Sequence, residues 1–340
     1  MELEILQNTY NKNFFNALNK VEQKIPPIWF MRQAGRYHQH YRKLKEKYSF
    51  EQLCKEPELA CEVTLGPIVE FDFDAAILFS DILFPLDYLG MSLKFNPGPI
   101  FEKNLSSKMI SEFNIDEFES FIDFQNISLK HIRNELSNDK SLIGFTGGPV
   151  TLYHFATRNN PVSQTLFQQT LPVLEMLIQK NIQIQLQNDI DLLMIFDTEA
   201  NKLNDKDFDE FVIPFLVKIS NSYPNKIGYF TKEISQTKFN KLQNLKNLKL
   251  TVLGTNLEVF TELPKTHLSL QGNFSNDLLA MEDTKSFSDY IDKYIEKCLQ
   301  SEPSHRSGWI ASLDHGVKKT TPEANVCLLY TSPSPRDRPL

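Results

Sequence analysis

The chain has 340 residues, 41% of them hydrophobic and 23% charged, with a formal net charge of −7. That composition suits one large globular domain, and an acidic balance without a long basic stripe argues against nucleic acid as a partner. Cys54, Cys61, Cys298 and Cys327 show neither C-x-x-C nor H-x-C spacing, so reduced thiols are expected, with no disulfide and no metal centre. The opening run MELEILQNTYNKNFF lacks a signal-peptide core, and no stretch reaches the roughly 18 uninterrupted apolar residues of a membrane span. A cytoplasmic location and no membrane partner are expected.

In chain order, the first short apolar run is Ile28 to Met31, behind Pro26-Pro27. Further strand-like runs follow at Ala75 to Phe79, Ser141 to Phe145, Asp191 to Phe196, Lys226 to Phe230, Lys249 to Leu253, His267 to Leu270 and Trp309 to Leu313. AAILF and DLLMIF are nearly all apolar, as strands covered on both faces are. Helical spacing fills the gaps. Tyr37, Tyr41, Leu44 and Tyr48 form one stripe, Pro57 can open a helix toward Val69, and residues 163–188 carry a leucine and isoleucine face. Phe208 to Phe215 and Tyr290 to Ile295 mark two more helices, and Asn96-Pro97-Gly98-Pro99 marks a turn before a polar excursion. Strand and helix alternating eight times predict a single-domain (β/α)8 TIM barrel. A doubly wound open sheet is the competing architecture, but no G-x-G-x-x-G follows a strand.

In a barrel, active sites gather at the C-terminal strand ends. The residues expected there are Arg32, Ser80-Asp81, Thr146-Gly147-Gly148-Pro149, Asp197-Thr198, Thr231, Gly254-Thr255, Gln271-Gly272-Asn273 and Asp314-His315-Gly316. The run Met31-Arg32-Gln33-Ala34-Gly35-Arg36-Tyr37 is the most informative. An apolar strand emptying into two arginines around a glycine reads as an anion-binding loop, because guanidinium groups stay charged and grip carboxylates in a bidentate fork. A solvated basic loop is the plainer alternative.

Taken together, PPIWFMRQAGRY at 26–37, FSDIL at 79–83, GGPVTL at 147–152, IFD at 195–197, QGN at 271–273 and HG with TPEANV at 315–326 resemble the uroporphyrinogen decarboxylase family. The resemblance covers roughly residues 13–327. It implies a (β/α)8 barrel, usually a homodimer, that removes carbon dioxide from the four acetate side chains of uroporphyrinogen to give coproporphyrinogen. It implies no metal and no organic cofactor. A pyrrole protonated on the carbon bearing the acetate can serve as its own electron sink, so the protein has only to hold carboxylates, deliver a proton and stabilise a transient cation.

Carried over residue by residue, Asp81 is the implied ligand of the pyrrole N–H groups. Arg32 and Arg36 are the carboxylate-binding arginines, Arg32 also being the family's suggested proton donor. Gln33, Ala34 and Gly35 are expected to line the substrate through their backbone. Thr198 stands where serine is usual, Phe155 where the pocket tyrosine falls, and His315 is the substrate-contacting histidine, able at its ordinary pKa near 6.5 to shuttle protons. Other departures are Lys45 for an arginine, Thr255-Asn256, Ser275-Asn276, and Asp314, an added negative charge beside an anionic substrate.

Two further readings are a barrel methyltransferase using zinc, which the missing histidine and cysteine pattern disfavours, and a catalytically impaired porphyrinogen-binding homologue. At the C-terminus Thr321 is expected to cap a helix opening at Pro322. The domain is expected to end near residue 327, with residues 328–340, which carry Pro333, Pro335 and Pro339, a non-native or disordered tail.

Overall fold

The computed structural model describes residues 12–157 and 164–331. Seven parallel strands form one curled sheet: β1 (Ala75–Ile77), β4 (Ser141–Gly147), β5 (Leu192–Phe196), β6 (Ile227–Phe230), β7 (Leu248–Val252), β8 (Ser269–Phe274) and β9 (Trp309–Leu313), paired in that order. The remaining two strands, β2 (Leu93–Phe95) and β3 (Pro99–Phe101), make a separate antiparallel hairpin across the Asn96-Pro97-Gly98 turn. The strands are apolar because both faces are covered: β4 is buried along its whole length, and Leu192, Leu193, Met194 and Ile195 of β5 are all buried.

The eighth station is filled by the segment expected as the first strand, without a strand's regularity. Ile28 bridges Ala311 of β9 in parallel, and Ala311 N–H donates to Pro27 O at 2.9 Å. On its other side, Asp74 N–H donates to Ile28 O at 2.9 Å, while the buried Asp74 carboxylate accepts from Ile28 N–H at 2.7 Å. The segment therefore joins the two open edges, β1 and β9, and completes a (β/α)8 barrel. Its irregularity has local causes. Pro26 and Pro27 offer no N–H to a ladder, and Arg32 adopts φ +61° and turns the chain out of extension.

Elsewhere the helices fall where apolar spacing places them, at Gln39–Lys47, Pro57–Phe71, Gln164–Gln185, Ile213–Ser222 and Thr284–Leu299. The strand edges differ more. Gln271-Gly272-Asn273, expected after the seventh strand, lies inside β8, and Thr146-Gly147 lies inside β4. The final helix spans Glu323–Thr331 and so runs beyond the expected boundary at 327, with Leu328 and Leu329 packed against the apolar cluster that includes Ile28, Phe30 and Val326. Residues 332–340, with the three prolines, lie outside the described residues. Thr321 does not cap this helix, since its hydroxyl is buried without a hydrogen-bond partner among the described residues.

Candidate active site

Because the chain leaves the eighth station at Arg32 with a left-handed turn, both arginines stand at the rim, Arg36 exposed and Arg32 partly desolvated where its side chain lies over the loop after β9. Gly316, after β9, makes this possible: a Cβ there would stand 2.7 Å from Arg32 Cδ. Only a residue without a side chain lets the guanidinium stem lie against that loop. Val317 N–H donates to Met31 O at 2.9 Å and fixes the two loops together.

Around Arg32 the structure gathers Arg36 and Asp81 closely enough to act on its charge, and Arg32 in turn acts on His315. Loss of hydration lowers the Arg32 pKa first and the Arg36 charge lowers it further, while Asp81 opposes both. Asp81 follows β1 and accepts from Leu83 N–H at 2.8 Å. Desolvation pushes its pKa up to about 6, against the lowering effects of that hydrogen bond and of Arg32. A poorly hydrated carboxylate with one fixed donor is an acceptor waiting for further N–H groups or positive charge.

His315 departs from its expected behaviour. Desolvation, then Arg32 and Lys232, lower its pKa to about 4, so it is neutral across the physiological range. Gly316 N–H donates to its Nδ1 at 2.6 Å, which leaves the proton on Nε2 and makes the ring a neutral donor. Its ring meets Phe230 edge-on at 5.4 Å, and Phe230, Phe196 and Phe145 continue as an aromatic row with centroids 6.0 and 5.6 Å apart. These phenylalanines and Lys232 were not among the sequence candidates. Each phenylalanine reads as the end of an apolar strand, and only the alignment of strand ends reveals the row.

Gln33 also departs from expectation. Its N–H donates to Phe30 O, its carbonyl accepts from Tyr37 Oη at 2.7 Å, and its amide links Phe30 N–H to Ala75 O. The residue braces the loop instead of offering its backbone to a ligand. Ala34 and Gly35 remain half-buried beside it, and Gly35 O accepts from His38 N–H at 2.9 Å.

Phe155 and Thr198 occupy neighbouring elements, the helix Pro149–Thr157 and the turn Thr198–Lys202, both half-buried. Asp197 holds those elements together. Fully buried, it accepts from Thr151 N–H at 2.7 Å and Tyr229 Oη at 3.3 Å, and burial raises its pKa to about 6. A Cβ on Gly148 would fall within the Asp197 carboxyl group, which is why glycine opens that helix.

With this geometry in view, the comparisons are decisive. The profile of the family described as Uroporphyrinogen decarboxylase (URO-D) matches residues 9–332. The chain belongs to the uroporphyrinogen decarboxylase family. A uroporphyrinogen decarboxylase of Orientia tsutsugamushi is 34% identical over 341 residues, 92% of this chain and 95% of that one. One from Geotalea daltonii is 31% identical over 337 residues, covering 93% and 96%. A solved methyltransferase from Methanosarcina mazei superposes with a TM-score of 0.75 at 15% identity, over 94% of this chain and 96% of that one, a likeness of fold alone.

One departure from the family resemblance is softened by the structure. Asp314 accepts from Asn276 N–H at 2.8 Å, at the start of the short helix Asn276–Leu279 that Ser275 caps, and its pKa is raised, first by burial. Ser312 stitches the barrel seam, accepting from Gln271 Nε2 at 3.0 Å and donating to Trp29 O at 2.8 Å. No helix among the described residues is long and apolar enough to cross a membrane.

Proposed function

We propose that this chain decarboxylates uroporphyrinogen III at its four acetate side chains, giving coproporphyrinogen III and carbon dioxide, with no metal or organic cofactor. Membership of the family makes it a carboxy-lyase, acting in tetrapyrrole biosynthesis. The observation that carries the reading is the close placement of one undersolvated carboxylate, Asp81, and one guanidinium, Arg32, on a barrel rim whose sequence matches the family over residues 9–332.

Asp81 accepts the pyrrole N–H groups and steadies the cation formed when a ring carbon is protonated. Its raised pKa means that its charge is under-compensated before substrate arrives, so incoming N–H donors and a developing cation gain most there. Arg32 and Arg36 hold acetate and propionate carboxylates. His315, neutral with its proton on Nε2, donates to another carboxylate, and Lys232 adds positive charge from the neighbouring loop. Phe155 and Thr198 offer ring surface and a hydroxyl at the far side of the cleft, and Ala34 and Gly35 contribute backbone beside the arginines. The row Phe145, Phe196 and Phe230 supplies an apolar wall for a flat macrocycle.

We assign the ring proton to water in the cleft and not to Arg32. Even with its pKa lowered, a guanidinium starts from above about 12 and is poorly matched to acid catalysis near neutrality. The protein acts as a cytoplasmic homodimer. Anaerobic incubation with uroporphyrinogen tests the reading: products with seven, six, five and finally four carboxylates are expected. Saturable binding without any product would leave only a porphyrinogen-binding protein.

A further inference from the structure

A second cluster of ligating side chains lies apart from the residues given catalytic or binding roles. His38, two residues past Arg36, is fully buried, and its Nε2 stands 2.6 Å from Glu70 Oε2 and 3.8 Å from Glu323 Oε1. One donor atom from each of the three residues lies within 4.8 Å of the others. The three come from distant parts of the sequence: the loop after the eighth station, the last turn of the helix Pro57–Phe71, and the first residue of the helix Glu323–Thr331. The imidazole is held in place from behind, with ring centroids 5.1 Å from Phe71 and 5.9 Å from Tyr37. Glu70 and Glu323 remain partly open to solvent, and Glu70 lines a cleft with His40, Cys61, Glu62 and His131, which gives an ion a way in.

An ordinary histidine–carboxylate bond needs one acid. Here a second carboxylate converges on the same nitrogen, although two acids beside each other repel. Gln39 N–H at 3.3 Å and the Arg42 guanidinium at 3.8 Å offset the Glu323 charge. One imidazole and two carboxylates form a donor set that suits zinc better than magnesium or calcium, which prefer oxygen ligands alone.

We propose that His38, Glu70 and Glu323 form a zinc-class divalent metal site that pins the C-terminal helix to the loop carrying Arg32 and Arg36. Zinc bonds of about 2.0–2.2 Å to nitrogen and oxygen place tetrahedral ligands a little over 3 Å apart. The short Glu70 contact opens and the longer Glu323 contact closes, both by rotation of glutamate side chains at the surface. The site stands independently of the decarboxylase reading.

The test uses the whole chain and zinc chloride alone. After dialysis against limiting zinc, metal analysis is expected to find one equivalent per chain, and the thermal midpoint is expected to rise with zinc and not with magnesium. Glu70→Gln and Glu323→Gln preserve side-chain size at partly exposed positions, so their metal-free unfolding should match the parent. Each should weaken zinc binding by about tenfold or more. Absence of stoichiometric zinc in the parent overturns the site, as does zinc held equally well by either variant.

Discussion

At the scale of single residues, Asp81 works against the stability of its own fold. Its pKa is about 6 in the folded chain against an ordinary 3.8, so folding takes up a proton between those values. The folded state is therefore favoured at low pH, and that advantage is lost as pH rises through about 6. Asp81→Asn should abolish turnover yet stabilise the protein at pH 7.5 by about 1–3 kcal/mol, with the difference vanishing near pH 4. Urea unfolding at the two pH values measures this, and a destabilised variant at pH 7.5 would contradict it. The same shift predicts that kcat/KM falls below about pH 6 as Asp81 is protonated. His315, at about 4, adds no acid limb in that range, so His315→Gln should raise KM and leave the shape of the profile alone. The arginines and Asp81 were legible in the sequence because charged groups beside glycine or after an apolar strand are unusual. The neutrality of His315 was not, since it depends first on burial and then on Arg32 and Lys232 arriving from other loops.

Among the elements, helices were easier to read than strands. A stripe such as Leu174, Leu177, Ile178 and Ile182, all buried, declares one face of a helix over many residues. A buried strand of five residues has no such periodicity, and β8 runs on through polar Gln271 and Asn273 because both find partners: Gln271 at Ser312, Asn273 at the carbonyls of Gly254 and Leu257. The hairpin of β2 and β3 was legible only as its turn. The helix Pro149–Thr157 illustrates what the GGP motif does locally, with Gly148 giving room for the Asp197 carboxylate that holds Thr151 N–H. Gly148→Ala should therefore cost about 2–3 kcal/mol, as overpacking beside a buried acid does. Thermal unfolding checks this, and an unchanged midpoint would show that the helix start can shift at little cost. The closing helix offers a milder test. Val326 is fully buried, and Val326→Ala should lower stability by about 1–2 kcal/mol through the cavity it leaves.

For the molecule as a whole, the alternation of strand and helix made the barrel legible, whereas how it closes was not. Seven strands pair by continuous ladders, with one register shift between β6 and β7, and the eighth station is joined by a few hydrogen bonds, including one from a backbone N–H to the Asp74 side chain. Asp74→Ala removes that buried acceptor and should cost about 3 kcal/mol, seen as a lower urea midpoint. The barrel thus has a seam, and the arginines proposed to receive the substrate hang from the stave beside it. Opening that seam breaks few backbone hydrogen bonds, and what resists it is chiefly the burial of Ile28, Trp29, Phe30 and Met31. Amide hydrogen exchange along 28–33 should outpace that of β4 and β5 by orders of magnitude in the unliganded protein. A bound polycarboxylate gripping Arg32, Arg36 and the Asp81 side of the cleft would slow that exchange, so that substrate would act as the last hoop on the barrel.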